Sequence, residues 1–241
     1  MAKIILKNIS KSYRSDFKRK KIIAVNDVSL NINQGEIFGV IGVNGAGKST
    51  IIKMIQGFIR PDHGEILVCD KKPSDPNSRL KMGYLPENPY FYDNLSVLEL
   101  LQFSAAASGI QKHIAEKQID HLLNIVDLHD VRKHKLRTFS KGMTQRAGIC
   151  FALVHHPEIV ILDEPMSGLD PPGRKMVIDL IKSLKEQGKT ILFCSHILND
   201  VERICDRVAV MDKGRLKKIF RSDEIVANSM EEIFLNIIQG K

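Results

Sequence analysis

A chain of 241 residues, 43% hydrophobic and 27% charged, is neither disordered nor fibrous and is long enough for one large domain or a core carrying an insertion. Its formal net charge of +8 admits an anionic partner, yet no aromatic-interleaved platform or helix-turn-helix pattern accompanies the charge, so nucleic acid is not expected. Four cysteines without C-x-x-C spacing sit mostly in apolar stretches, which points to reduced core residues in a cytosolic protein and away from disulfides or zinc.

Met1-Ala2-Lys3-Ile4-Ile5-Leu6 alternates and is too short for a secretory leader, so it reads as a first strand. Lys18-Arg19-Lys20-Lys21 fits a solvated surface or attraction to anionic headgroups at a membrane. Glu36-Ile37-Phe38-Gly39-Val40-Ile41 is an apolar run expected to be a buried strand, and Ile51-Ile52-Lys53-Met54-Ile55 reads as the first turns of a helix. Between them lies Gly42-Val43-Asn44-Gly45-Ala46-Gly47-Lys48-Ser49-Thr50, a complete G-x-x-x-x-G-K-[ST] loop in its strand-turn-helix context. Its glycines let successive backbone N–H groups turn inward on phosphate oxygens, and the following helix presents its positive dipole end to the same charge. Lys48 is expected to reach the β- and γ-phosphates of a nucleotide, and the Ser49 hydroxyl to ligate Mg²⁺.

Ser96-Val97-Leu98-Glu99 is a capping-box pattern, and Ile119, Leu122, Leu123 and Val126 form a helical stripe. Arg132-Lys133-His134-Lys135 reads as solvated surface. Phe139-Ser140-Lys141-Gly142-Met143-Thr144-Gln145-Arg146 opens a helix with Ala147, Cys150, Phe151 and Val154 on its buried side. Ser140 there is either an N-cap or part of a second anion site. Ile159-Val160-Ile161-Leu162-Asp163-Glu164 is a buried strand ending in two carboxylates; Asp163 is expected to hold Mg²⁺. Glu164, turned to the other face by the alternation of side chains along a strand, is expected to polarise the attacking water. Ser167-Gly168-Leu169-Asp170 is a turn, after which Pro171-Pro172 open a helix that Gly188 ends. Thr190-Ile191-Leu192-Phe193-Cys194-Ser195-His196 is a further buried strand with a polar end, from which His196 is placed to contact a γ-phosphate. Met230, Ile233, Phe234 and Ile237 make a short amphipathic stretch in the tail, and no apolar run approaches the length that spans a bilayer.

These segments, in this order, resemble the nucleotide-binding subunit of ABC transporters from about Tyr13 to Gly214, and Ser140 to Arg146 looks like that family's signature motif. The resemblance implies an α/β fold: a P-loop NTPase, RecA-like core of parallel sheet with helices, an antiparallel β region near the N-terminus and an inserted α-helical subdomain. On that reading, residues 1–86 and 157–214 form the core of a single ATPase domain, 87–156 the helical subdomain and 215–241 a tail. It also implies that Tyr13 stacks on adenine, that Asp170 lies at a dimer interface and that His196 is the γ-phosphate switch. ATP and Mg²⁺ are the implied cofactors. The resemblance further implies that each ATP is held between the Gly42-to-Thr50 loop of one subunit and Ser140-Lys141-Gly142 of a second copy or a homologous ATPase, head to tail. The implied membrane partners are integral permease subunits, met at the cytoplasmic face of the membrane. Two departures stand out. The usual leucine-serine-glycine-glycine-glutamine becomes Phe139-Ser140-Lys141-Gly142-Met143, with Ser140 and Gly142 kept, and Glu87 replaces the coupling-loop glutamine in Gly83-Tyr84-Leu85-Pro86-Glu87. Both variants look like the branch serving drug, sodium and polysaccharide efflux, so the expected function is ATP hydrolysis for an exporter. The alternative is a soluble ABC-type ATPase of translation or DNA repair, but those usually carry two cassettes or a long coiled coil, and this chain has neither.

Overall fold

The computed structural model describes residues 1–14, 21–226 and 229–239, and its chain divides into two compact units, Met1–Arg79 with Thr190–Lys241 and Leu80–Lys189. Lys18, Arg19 and Lys20 of the first basic run lie outside the described residues.

The first unit opens with β1 (Ala2–Arg14) and β2 (Lys21–Asn33), paired antiparallel, then β3 (Ile37–Gly42), α1 (Lys48–Ile55), β4 (His63–Val68) and the short α2 (Pro76–Leu80). β4 joins the other edge of β1, so the order β2-β1-β4 is an antiparallel sheet near the N-terminus, as expected. Its strands are half-buried: Ile4, Leu6 and Ile9 of β1 and Val25, Val28, Leu30 and Ile32 of β2 are buried, with less buried positions between them. All six residues of β3 are buried, as a central strand of a parallel sheet requires.

The second unit contains β5 (Met82–Leu85), α3 (Val97–Ala107), α4 (Lys112–Ile125), α5 (Lys141–Leu153), β6 (Ile159–Asp163) and α6 (Pro171–Glu186). β5 and β6 pair in parallel from Met82 opposite Ile159 to Leu85 opposite Leu162. Gly83 permits a close approach to α5, since a Cβ there would lie 2.0 Å from the Ala152 carbonyl oxygen. The capping box forms as expected: Ser96 Oγ accepts from Glu99 N, while the Glu99 carboxylate accepts from Ser96 N and Oγ. Those bonds, with Lys135 Nζ at 3.2 Å, hold the Glu99 carboxyl down to about 2. α4 buries Ala115, Ile119, Leu122 and Leu123, each large side chain contributing about 1.5–3 kcal/mol. The helical stretch 87–156 lies within this unit together with β5, β6 and α6.

The chain then returns to the first unit as β7 (Thr190–Cys194), α7 (Leu198–Ile204), β8 (Arg207–Asp212), β9 (Arg215–Arg221), α8 (Ser222–Val226) and α9 (Met230–Gln239). β7 and β8 flank β3, both parallel to it, and β9 lies antiparallel on β8. The strand β9 was not anticipated: Arg215-Leu216-Lys217-Lys218 is too basic to read as apolar alternation. It forms because Lys213 (φ 46) and Gly214 (φ 78) make the two-residue left-handed turn that suits a hairpin. Cys150, Cys194 and Cys205 are buried, and burial pushes the Cys150 thiol up. Among the described residues no helix is long and apolar enough to cross a membrane.

Candidate nucleotide site

In the first unit the loop from Gly42 to Thr50 joins β3 to α1, with Gly47 as the N-cap at φ 103. A side chain at Gly47 is impossible on two counts, the positive φ and an ideal Cβ position 2.4 Å from the Ala24 carbonyl oxygen. The loop is braced by Ala46 N donating to the Val43 carbonyl at 3.0 Å and by Gly214 N donating to the Ala46 carbonyl at 3.1 Å. Asn44, Gly45 and Ser49 are exposed, whereas Ala46 is buried beneath them. Lys48 Nζ lies back over the loop, donating to the carbonyls of Gly42 at 2.6 Å and Val43 at 3.3 Å. The first α-helical bond is Ile51 N to the Gly47 carbonyl, so the N–H groups of Lys48, Ser49 and Thr50 have no acceptor within the helix. No acidic residue occupies the first turn, and the positive end of the dipole is uncompensated. A loop of this geometry is an anion receptor before any ligand is considered.

Val40 of β3 stands opposite Cys194 of β7, so both strands end at one edge, and Ser195-His196 leave it beside the phosphate loop. Ser195 is buried, with Oγ accepting from Ile197 N at 3.1 Å, which turns the chain and leaves His196 exposed. Tyr13 lies on β1 opposite Ile22, with 40% of its surface exposed and the Lys11 ammonium 6.0 Å from its ring centre. The Asp62 carboxylate holds the approach to it, accepting from Lys11 Nζ at 2.8 Å and from Ser12 N at 2.8 Å and Oγ at 2.7 Å. These bonds keep the Asp62 carboxyl well below the usual carboxylate range.

In the second unit Asp163 is the last residue of β6 and is buried. Glu164 corrects the sequence argument on one point. It stands just past the strand with φ 51, so a left-handed backbone, and not the pleat, sets its direction. The parallel register of β5 sends Pro86 and the exposed Glu87 out at the same edge as Asp163 and Glu164. Asp170 caps α6, its Oδ1 accepting from Gly173 N at 3.1 Å and standing 3.6 Å from the Arg146 guanidinium. Ser140 is the N-cap of α5, accepting from Met143 N at 3.2 Å. That bond leaves the hydroxyl hydrogen and the first-turn N–H groups of Lys141 and Gly142 to face an anion. No acidic residue lies in this first turn either, and Lys141 adds a positive charge.

The residues proposed from sequence thus gather in two sets: Tyr13, the loop with Lys48 and Ser49, and His196 in one unit; Glu87, Ser140, Gly142, Asp163, Glu164 and Asp170 in the other. Sequence reasoning passed over Gln145 and Arg146 as individuals. Gln145 Nε2 donates to the Glu164 carbonyl at 3.1 Å from a fully buried position. The available signal was a glutamine on the buried face of a helix, four residues before Ile149.

The second unit also carries an apolar groove of about 340 Å³ between Tyr84, Pro89, Phe91, Phe103 and Phe151. Tyr90 and Tyr92 on its rim are 88% and 76% exposed.

The sequence profile of the ABC transporter family matches residues 25–167. An uncharacterized ABC transporter ATP-binding protein of the cyanobacterium Nostoc is 42% identical over 93% of this chain, which spans 68% of that relative. The ABC transporter ATP-binding protein NatA of Bacillus subtilis is 34% identical over 95% of this chain and 96% of its own length. Among solved structures, a dimeric ATP-binding cassette in a post-hydrolysis state with ADP and phosphate bound superposes with TM-score 0.84 and 26% identity, over 91% of this chain and 98% of that one. With the P-loop geometry, the expected sheet topologies and these likenesses together, the chain belongs to the ABC transporter family as an ATP-binding subunit.

Proposed function

We propose that this subunit hydrolyses ATP to power a membrane exporter, working as a head-to-tail pair in which each nucleotide is shared between two subunits. The observation that carries the reading is the start of α5. Ser140, the first-turn N–H groups and Lys141 make a second anion-receptive helix end, on a different unit from the phosphate loop. A nucleotide has one polyphosphate, and a second receptor for it makes sense when it serves the partner subunit's ATP. In the reaction, the loop from Gly42 to Thr50 binds the phosphates, Lys48 holds the β- and γ-phosphates, and Tyr13 stacks on adenine. Glu164 takes the proton of the attacking water, while His196 contacts the γ-phosphate. Ser49 and Asp163 are hard oxygen donors suited to Mg²⁺. Held by them beside the nucleotide, such an ion would supply positive charge to offset that of the phosphates. Asp170, already fixed by Gly173 N and Arg146, faces the partner subunit.

The helices of residues 87–156 serve as the subdomain that meets the permease, with the aromatic groove as the seat for its cytoplasmic helix. The signature Phe139-Ser140-Lys141-Gly142-Met143 and Glu87 favour the efflux branch. The subunit attaches to the cytoplasmic face of the membrane through those permease contacts.

Mixing subunits tests the shared site. Lys48→Ala and Ser140→Arg subunits are each expected to be inactive, and their mixture is expected to regain activity because one intact site forms per mixed pair. Mixed pairs that form without any regain would contradict a shared site. Glu87 is exposed at the edge where β5 ends, and a third carboxylate near the phosphates would repel them. Glu87→Ala is therefore expected to leave hydrolysis by the isolated subunit within about twofold of wild type and to uncouple it from transport in the reconstituted complex. Loss of hydrolysis with ATP binding retained would place Glu87 among the catalytic residues instead.

A further inference from the structure

We propose that Gln145 is a positioning residue for the general base, holding Glu164 in its left-handed backbone conformation and tying it to the helix that Ser140 opens. The inference rests on the reading of Glu164 as base. Glu164 has φ 51, a region that residues with side chains rarely occupy and that persists only where the surroundings fix it. Two donors fix its carbonyl: Ser167 N at 3.0 Å, within the local turn, and Gln145 Nε2 at 3.1 Å, from α5. Gln145 is 1% exposed, so water does not replace its amide readily. With that donor gone, the peptide after Glu164 loses its tie to α5. Rotation about it turns the Glu164 Cα, and the carboxylate leaves the direction it needs toward the attacking water.

The contact is part of a longer grip. Arg146 Nη2 lies 3.6 Å from Asp170 Oδ1, and the Lys141 side chain lies over Gly168. The first turns of α5 therefore hold the segment from Glu164 to Asp170 at its beginning, middle and end. From Ser140 to Gln145 the helix rises about 7.5 Å, so a phosphate seated at Ser140 is joined to the base by a rigid element. A partner's nucleotide bound at Ser140 thus acts on the element that holds Glu164.

Gln145→Met keeps the length and burial of the side chain and removes the donor. Measured on the full chain, kcat is expected to fall at least tenfold, with the Kd for ATP within twofold of wild type and an unchanged circular dichroism spectrum. The readout that separates positioning from general stability is the double variant with Glu164→Gln, followed by phosphate release over long times. Once the base is gone, Gln145→Met is expected to cost less than a further twofold. Gln145→Asn retains an amide one methylene short; it is expected to fall between wild type and Gln145→Met, and it provides the measurement should the methionine variant fail to fold. An unchanged kcat, or a loss that adds fully to that of Glu164→Gln, would overturn the role of Gln145 while leaving Glu164 as base. Wild-type turnover by Glu164→Gln alone would instead overturn the reading of the base, and the positioning role with it.

Discussion

Glu164→Gln is expected to bind ATP with near-native affinity and to turn it over about 10²–10⁴-fold more slowly than wild type. The amide matches the carboxylate in size and can still accept a hydrogen bond, but it cannot take a proton from water. Glu164 is buried just past the end of β6, and its backbone is held by Ser167 and Gln145, so the substitution leaves the surrounding turn in place. Steady-state phosphate release checks the rate, and a nucleotide titration checks the affinity. Turnover at the wild-type rate would remove Glu164 from the mechanism.

Lys48→Ala acts on the other unit and through a different variable, affinity. Charge-assisted hydrogen bonds contribute about 1.5–3 kcal/mol, so losing the ammonium is expected to weaken ATP binding roughly 10- to 100-fold and to depress hydrolysis as well. The same substitution removes the bonds from Nζ to the Gly42 and Val43 carbonyls, which help to keep the loop closed on itself. A fluorescence titration with ATP is the direct check. Unchanged affinity would mean that phosphate is bound elsewhere.

How much of this was legible in the sequence differs from element to element, for physical reasons. β3, α1 and the loop between them were readable because the constraint is local: six buried residues of a central strand, then glycines where the backbone leaves the region open to side chains. The capping box at Ser96 was readable for the same reason, being settled within one helical turn, and so was the N-cap reading of Ser140; the N-cap at Asp170 was not read from the sequence. β9 was not, because its pairing with β8 comes from a two-residue turn and a tertiary edge, and its basic residues conceal any alternation. For Glu164 the alternation of side chains along a strand is not what sets its direction. A β-strand pattern carries no sign that the next residue takes φ 51. Gln145 lies 19 residues from the carbonyl it supports, and only the folded chain brings the two together. The candidate site residues thus come from motifs, whereas the contacts that hold them were visible only in the structure.

The central claim, that ATP is held between two copies of this subunit, is tested most directly by measuring the mass of Glu164→Gln in solution with Mg²⁺ and ATP. Because nucleotide that binds only the paired form shifts the equilibrium toward pairing, and because this variant does not consume it, the account predicts a dimer in ATP and a monomer in ADP. Sedimentation velocity at protein concentrations spanning the transition reads both states. A monomer at every ATP concentration that saturates the phosphate loop would contradict the shared site.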